Sequence, residues 1–212
     1  MVVQTERLIH GSACLAEGAD WLCATEPRFA TVMNQIDDIP LRLRDDGFAA
    51  LLFAIVGQQV STASAAAIWA RVEGAGMTTP AAVADAQPED LAALGLSRPK
   101  VRYAQALAGA GLDYPALRCA PSDQVIATLT AVPGIGSWTA EIYALFALAR
   151  ADIFPAGDLA LQEATRLLFD LPDRPNDPAM RALAAPWSPW RGVAARLLWA
   201  YYRVEKQREG IR

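Results

Sequence analysis

The chain has 212 residues, 53% hydrophobic and 20% charged, with a formal net charge of −4. That balance supports a sizeable buried core and excludes a disordered chain. No stretch approaches the ~20 uninterrupted apolar residues of a spanning helix, so no membrane association is expected, and the acidic balance by itself points away from nucleic acid.

In chain order, the segment Met1–His10 carries charges at Glu6 and Arg7 and no apolar block, so no secretory signal is read there. Between Phe48 and Val72, Leu51, Leu52, Ile55, Val56, Ala63, Ala67 and Ile68 recur at three- and four-residue steps, which predicts helix. Pro80, Pro88 and Gly95 punctuate small helices. A helix from Lys100 to about Ala110 places Val101, Ala104, Leu107 and Ala108 on one face. Another fits Ser122–Leu129, with Ser122 as N-cap and Asp123 in the first turn. Further helices fit Trp138–Arg150, Leu159–Asp170 and Trp190–Val204, with Leu171–Pro178 as a loop. No run shows period-two alternation, so the expected class is all-α. No flexible linker divides the chain, so any two lobes would pack tightly or share crossings of the chain.

Cys14, Cys23 and Cys119 are an odd number at unrelated spacings, which argues against a disulfide framework and for a reducing cytoplasm. His10 is the only histidine. A zinc or di-iron site would have to be built largely without imidazole, and a Ser-His-Asp or Cys-His hydrolase is nearly excluded, since its base could only be His10. Lys100 and Lys206 are the only lysines, so side-chain contacts to phosphate would come mainly from the planar fork of arginine.

The most informative segment is Leu129-Thr130-Ala131-Val132-Pro133-Gly134-Ile135-Gly136-Ser137-Trp138-Thr139-Ala140. A helix ends, a Pro-Gly-Ile-Gly turn follows, and a new helix begins. Glycine permits positive φ and close backbone approach, and the N-terminus of the new helix favours an anion. An acidic protein could thus grip a phosphate through peptide amides at Gly134, Gly136, Ser137 and Thr139. An ordinary αα-hairpin would show the same P-G-x-G turn. Sixteen residues beyond Gly136, Asp152-Ile153-Phe154-Pro155-Ala156-Gly157-Asp158-Leu159 begins. Asp158 precedes an apolar helix and is a good N-cap on physical grounds alone.

The full L-x-x-V-P-G-I-G-x-W-T-A string resembles the helix-hairpin-helix of a DNA glycosylase superfamily, in which a Gly/Pro-rich loop and a catalytic aspartate follow the hairpin. Ala54-Ile55-Val56-Gly57-Gln58-Gln59-Val60-Ser61 is similar to the I-x-G-Q-Q-x-S helix end of its 3-methyladenine glycosylases. Leu94-Gly95-Leu96-Ser97-Arg98-Pro99-Lys100 resembles their G-L-S-x-x-K segment, and Trp187-Ser188-Pro189-Trp190-Arg191 their W-x-P-W-R segment. The match runs from about residue 15 to 203 and is best with the DNA-3-methyladenine glycosylase II family, in a short form without its N-terminal sheet domain.

The resemblance implies two helical lobes, residues 1–47 with 156–212 and residues 48–155, the second holding the hairpin at about 122–150. It implies hydrolysis of the N-glycosidic bond of alkylated purines (3-methyladenine, 7-methylguanine) after base flipping, with Asp158 as the catalytic carboxylate, a role compatible with capping. Trp138 and Trp187 stand at pocket positions, where a π face would hold a cationic purine. Ile142 and Leu159 stand where the longer bacterial enzyme has tyrosines. Trp21, Trp69, Trp190 and Trp199 fit core positions, and Asp152 reads as loop or surface. Gln58 and Gln59 are candidates to fill the vacated stack. The carbonyls of Thr130, Val132 and Ile135 are implied ligands of a structural Na⁺ or K⁺, and no cofactor is expected to be required. Trp138 stands where bifunctional relatives have a lysine nucleophile, so no lyase activity is expected. Damaged double-stranded DNA is the expected partner of a monomeric, cytoplasmic, nucleoid-associated protein. A glycosylase for deaminated or oxidised bases and a non-enzymatic helix-hairpin-helix DNA-binding protein remain as alternatives.

Overall fold

The structure, a computed structural model, describes residues 6–210; Met1–Thr5, part of the segment read for a signal, lie outside the described residues. Among these the chain forms α-helices, one 3₁₀ turn and no strand, apart from an isolated antiparallel bridge between Leu8 and Arg150. No helix among them is long and apolar enough to cross a membrane. The helices are α1 (Ser12–Thr25), α2 (Arg28–Met33), α3 (Phe48–Gly57), α4 (Thr62–Gly74), α5 (Pro80–Asp85), α6 (Pro88–Ala93), α7 (Arg98–Gly109), α8 (Tyr114–Cys119), α9 (Ser122–Thr130), α10 (Ser137–Phe146), α11 (Leu159–Leu168), α12 (Asp177–Ala184) and α13 (Arg191–Gly210), with the 3₁₀ turn at Ala185–Trp187.

The chain divides into two units, Met1–Leu43 with Ala149–Arg212, and Arg44–Leu148. Both boundaries fall before the expected ones at 47/48 and 155/156, and the backbone shows why. Arg44 N–H donates to Phe146 O and Gly47 N–H to the Tyr143 hydroxyl, which ties residues 44–47 to the second unit. Ile9 N–H donates to Ala149 O and Ala151 N–H to Arg7 O, which ties the start of the Asp152 loop to the first.

The first unit is built around α13. Its Val193, Ala194, Leu197 and Leu198 are fully buried, and α1 supplies Leu15, Ala19 and Leu22. Each fully buried leucine contributes roughly 1.5–3 kcal/mol. The close approach needs Gly18, where a Cβ would lie 2.7 Å from Val193 Cγ2 and 2.8 Å from the Trp190 ring. Arg196 is also fully buried, and its guanidinium donates to the carbonyls of Gly192 (2.8 Å) and Leu41 (3.3 Å). Burial, reinforced by Arg42, lowers its pKa to about 10.

In the second unit the apolar run from Phe48 is broken into two helices at Gln58–Ser61. The Ser61 hydroxyl caps α4 by accepting from Ser64 N–H. Leu51, Leu52, Ile55 and Val56 of α3 are buried, and α3 packs on α4, α7 and α10. The buried Lys100 donates to Val56 O at 2.7 Å, occupying a carbonyl at the end of α3. Ser122 proves to be the first residue of α9 rather than its cap, with Pro121 before it. α1, α2, α8 and α12 were not expected, although Leu15, Ala19 and Leu22 of α1 and Met180 and Ala184 of α12 recur at helical spacing. α8 is capped by Asp113 and α12 by Asn176, each through its side chain.

Candidate active site

The hairpin lies in the second unit, between α9 and α10. Gly134 adopts φ +91°, and a Cβ there would run into the ring of Tyr103, so both conformation and space require glycine. Gly136 differs: its φ is −86° and nothing lies within 4 Å of where its Cβ would be. The fold does not demand glycine there, and the absent side chain leaves open space at the N-terminus of α10. That N-terminus has no side-chain cap hydrogen bond. The first-turn amides of α10, at the positive end of the helix dipole, lie beside the opening. Ser137 is exposed, whereas Thr139 is only 3% exposed. The Thr139 side chain is therefore not presented to a phosphate; its Oγ1 accepts from the Gln58 amide instead.

Gln58 and Gln59 prove unlike. The Gln58 amide donates to Gly134 O at 3.0 Å and to Thr139 Oγ1 at 3.4 Å. In this arrangement Gln58 braces the hairpin. Gln59 is exposed at φ +56°, beside the exposed Val60. In the turn at 130–135, the expected cation ligands are three backbone carbonyls. Val132 O already accepts from Ile135 N–H at 3.1 Å, which uses one of its two lone pairs. The neutral oxygen donors suit a monovalent ion, and no cluster of His, Cys, Asp or Glu that could hold a metal occurs among the described residues.

Asp158 lies in the first unit, at the N-cap of α11. Its Oδ1 accepts from Ala160 N–H (2.9 Å), Leu161 N–H (3.0 Å) and the indole Nε1–H of Trp199 (3.1 Å). Both the helix N-terminus and charge-assisted donors suit a carboxylate held in one orientation. Leu159, next in sequence, is 62% exposed, an unusual setting for a large apolar side chain. Trp199 was expected in the core; it is half-buried and turned toward Asp158. No local signal marks this, because its partner lies 41 residues away.

The two pocket tryptophans also part. Trp138 is 38% exposed in the first turn of α10. Trp187 is 2% exposed, with Phe29, Phe154 and Phe169 around it at ring-centroid distances of 5.2, 5.6 and 5.9 Å. The expectation that Trp187 presents a π face to substrate is corrected: three phenylalanines from separate segments cover it as core. Asp152, read as loop or surface, accepts from Ser188 Oγ (2.7 Å), Arg191 N–H, and Arg191 Nε and Nη2 (2.8 Å each). It staples the Asp152 loop to the start of α13.

Residues 52–189 match the HhH-GPD superfamily of base excision DNA repair proteins, and the chain belongs to this family. It is 33% identical over 168 residues to DNA-3-methyladenine glycosylase 2 of Escherichia coli, covering 73% of this chain and 57% of that protein. It is 30% identical over 124 residues to a putative DNA-3-methyladenine glycosylase of Bacillus subtilis, covering 57% of this chain and 43% of that one. The chain thus spans about half the length of these curated relatives. A solved 3-methyladenine DNA glycosylase of Schizosaccharomyces pombe in complex with abasic DNA superposes with a TM-score of 0.78 at 25% identity, covering 86% of this chain and 95% of that one.

Proposed function

We propose that the protein is a monofunctional DNA glycosylase that flips alkylated purines out of duplex DNA and hydrolyses their N-glycosidic bond. The observation that carries this reading is Asp158, a carboxylate fixed at a helix N-terminus beside the exposed Leu159. In the reaction the C1′–N bond breaks and its electron pair leaves with the base, neutralising the base's positive charge. Water then adds to the sugar cation and gives up a proton, by way of the Asp158 carboxylate to solvent, leaving a neutral abasic site. A cationic base needs no general acid, so one carboxylate suffices to stabilise the developing cation and orient the water. The open amides at Gly136 would hold a backbone phosphate, and Gln59, with its left-handed backbone, would fill the vacated stack. A monovalent cation on the carbonyls of Thr130, Val132 and Ile135 would add a positive charge on the phosphate side of the turn.

The substrate class follows from the apolar surroundings. In the second unit the exposed Trp138 offers a stacking face, and in the first unit the exposed Leu159 beside Asp158 is apolar; neither side chain supplies the hydrogen bonds that reading a neutral base needs. Release of 3-methyladenine and 7-methylguanine should exceed that of hypoxanthine or uracil, with none of 8-oxoguanine. The protein is taken to act as a monomer on damaged duplex DNA in the cytoplasm. The test is single-turnover release from methylated duplex DNA by Asp158→Asn. A fall of orders of magnitude with abasic-DNA affinity and melting temperature nearly unchanged is expected. Release at the wild-type rate would remove Asp158 from the mechanism, and no release by the wild type would leave a DNA-binding protein.

A further inference from the structure

We propose that Trp199 is a positioning residue for Asp158, its indole N–H fixing the direction of the carboxylate on which base release depends. The proposal rests on the reading of Asp158 as the catalytic carboxylate. Two of the three donors on Oδ1, Ala160 N–H and Leu161 N–H, belong to α11 itself. Any N-cap aspartate meets such amides, and its carboxylate can still rock between them. The third, Trp199 Nε1–H at 3.1 Å, comes from α13. α13 is set by a different part of the core, through the buried Trp190, Val193, Leu197 and Leu198. The indole bond therefore ties the orientation of Asp158 to the body of the first unit and not only to the first turn of α11.

The chemistry of the donor sharpens this. An indole N–H donates and cannot accept, so the bond has one sense only. With an N–H from α13 added to those of α11 on Oδ1, the carboxylate is less free to turn, and the direction of Oδ2 is restricted with it. An oxygen that must meet a developing sugar cation gains from such preorganisation because little is left to reorganise during the reaction. Trp199 is half-buried, and a phenylalanine would satisfy the same packing. The indole nitrogen is the part that packing leaves unexplained.

The experiment is a double-mutant cycle on Trp199→Phe and Asp158→Asn, read by single-turnover release of 3-methyladenine, abasic-DNA affinity and melting temperature. Trp199→Phe keeps an aromatic ring and removes the donor. It should slow release about ten- to hundredfold, the weight of one hydrogen bond to a charged group. Abasic-DNA affinity should stay within about twofold, as a lost positioning bond predicts. In the Asp158→Asn background the same change should add less than about a further twofold, since residues acting as a unit are not additive. An unaltered rate in Trp199→Phe, or an equal slowing in both backgrounds, overturns the proposal while leaving Asp158 in place. A wild-type rate in Asp158→Asn alone overturns the underlying reading instead. If Trp199→Phe does not fold, the indole ¹H–¹⁵N resonance of Trp199 in Asp158→Ala decides. It should shift and exchange faster than in the wild type, and an unmoved resonance overturns the proposal.

Discussion

The side-chain amide of Gln58 donates to the carbonyl oxygen of Gly134 at 3.0 Å, joining the end of α3 to the hairpin turn across 76 residues of sequence. The same amide reaches Thr139 Oγ1 in the first turn of α10. One side chain thus holds both sides of the turn whose amides face the open space at Gly136. Gln58→Ala removes a bond worth about 1 kcal/mol. Abasic-DNA affinity measured by fluorescence anisotropy is expected to fall about fivefold, with a smaller effect on release from saturated enzyme.

The two hairpin glycines should respond differently. Gly134→Ala forces a side chain into a positive φ and into Tyr103, and should cost about 2 kcal/mol in chemical denaturation. Gly136→Asp meets no protein atom, so the melting temperature should hold. It should weaken abasic-DNA binding by placing a negative charge where a phosphate is expected. The salt dependence of wild-type binding should be shallow, as few Lys or Arg contacts to phosphate are involved. A steep dependence, or normal binding by Gly136→Asp, would argue against a grip through amides.

The all-helical class, the hairpin and Asp158 were legible because each is a local signal: a 3.6-residue apolar period, a glycine turn and a cap position. What escaped depends on partners distant in sequence. Trp187 and Trp199 are both tryptophans in apolar surroundings, and nothing local distinguishes the ring covered by Phe29, Phe154 and Phe169 from the ring that turns to Asp158. Gln58 and Gln59 are adjacent and chemically identical. Only the backbone reversal at Gln59 separates the brace from the exposed side chain. α1 does carry Leu15, Ala19 and Leu22 at helical spacing, but this narrow stripe of three residues, interrupted by Gly18, was passed over.

Asp152 carries a structural prediction. Its carboxylate receives four hydrogen bonds from Ser188 and Arg191. Asp152→Ala leaves the Arg191 guanidinium without this partner and should destabilise the fold by about 2 kcal/mol in urea unfolding. Single-turnover release by the folded fraction should stay near the wild-type rate. A collapse of release without loss of stability would place Asp152 in the chemistry.

Alkaline pH should loosen the second unit. Burial, with the nearby Asp46 charge, raises the Tyr143 phenol to about 12, although the bond from Gly47 N–H opposes it. Burial, with Tyr143 beside it, raises Tyr114 to about 12. Both phenols sit above their ordinary value of about 10, so the folded state holds protons that the unfolded state releases between about pH 10 and 12. Their contribution is complete below pH 10 and is lost as pH rises through that window. Thermal melts from pH 9 to 12 should show this fall, and Tyr143→Phe should lower stability at pH 8 while flattening the alkaline decline.

Borohydride should trap no covalent adduct with lesion-containing DNA. This follows from the family resemblance, which puts Trp138 where bifunctional members have a lysine nucleophile. Of the two lysines, Lys100 is 9% exposed and bound to Val56 O at 2.7 Å. A robust adduct detected by gel electrophoresis would overturn the monofunctional reading, and its loss in Lys100→Met would identify the amine.

The first unit draws on both ends of the chain, whereas the second is the single stretch Arg44–Leu148. On the ribosome this imposes an order. The segment that becomes α1 and α2 emerges well before its partners Trp190 and Val193, so the early segment must wait while the hairpin-bearing stretch is completed. A nascent chain arrested after α10 is expected to protect α3 to α10 from protease while α1 stays cleavable, and only the arrival of α13 should close the α1 site. The carboxylate at Asp158 would then receive the indole donor of Trp199 only after the hairpin turn is already formed.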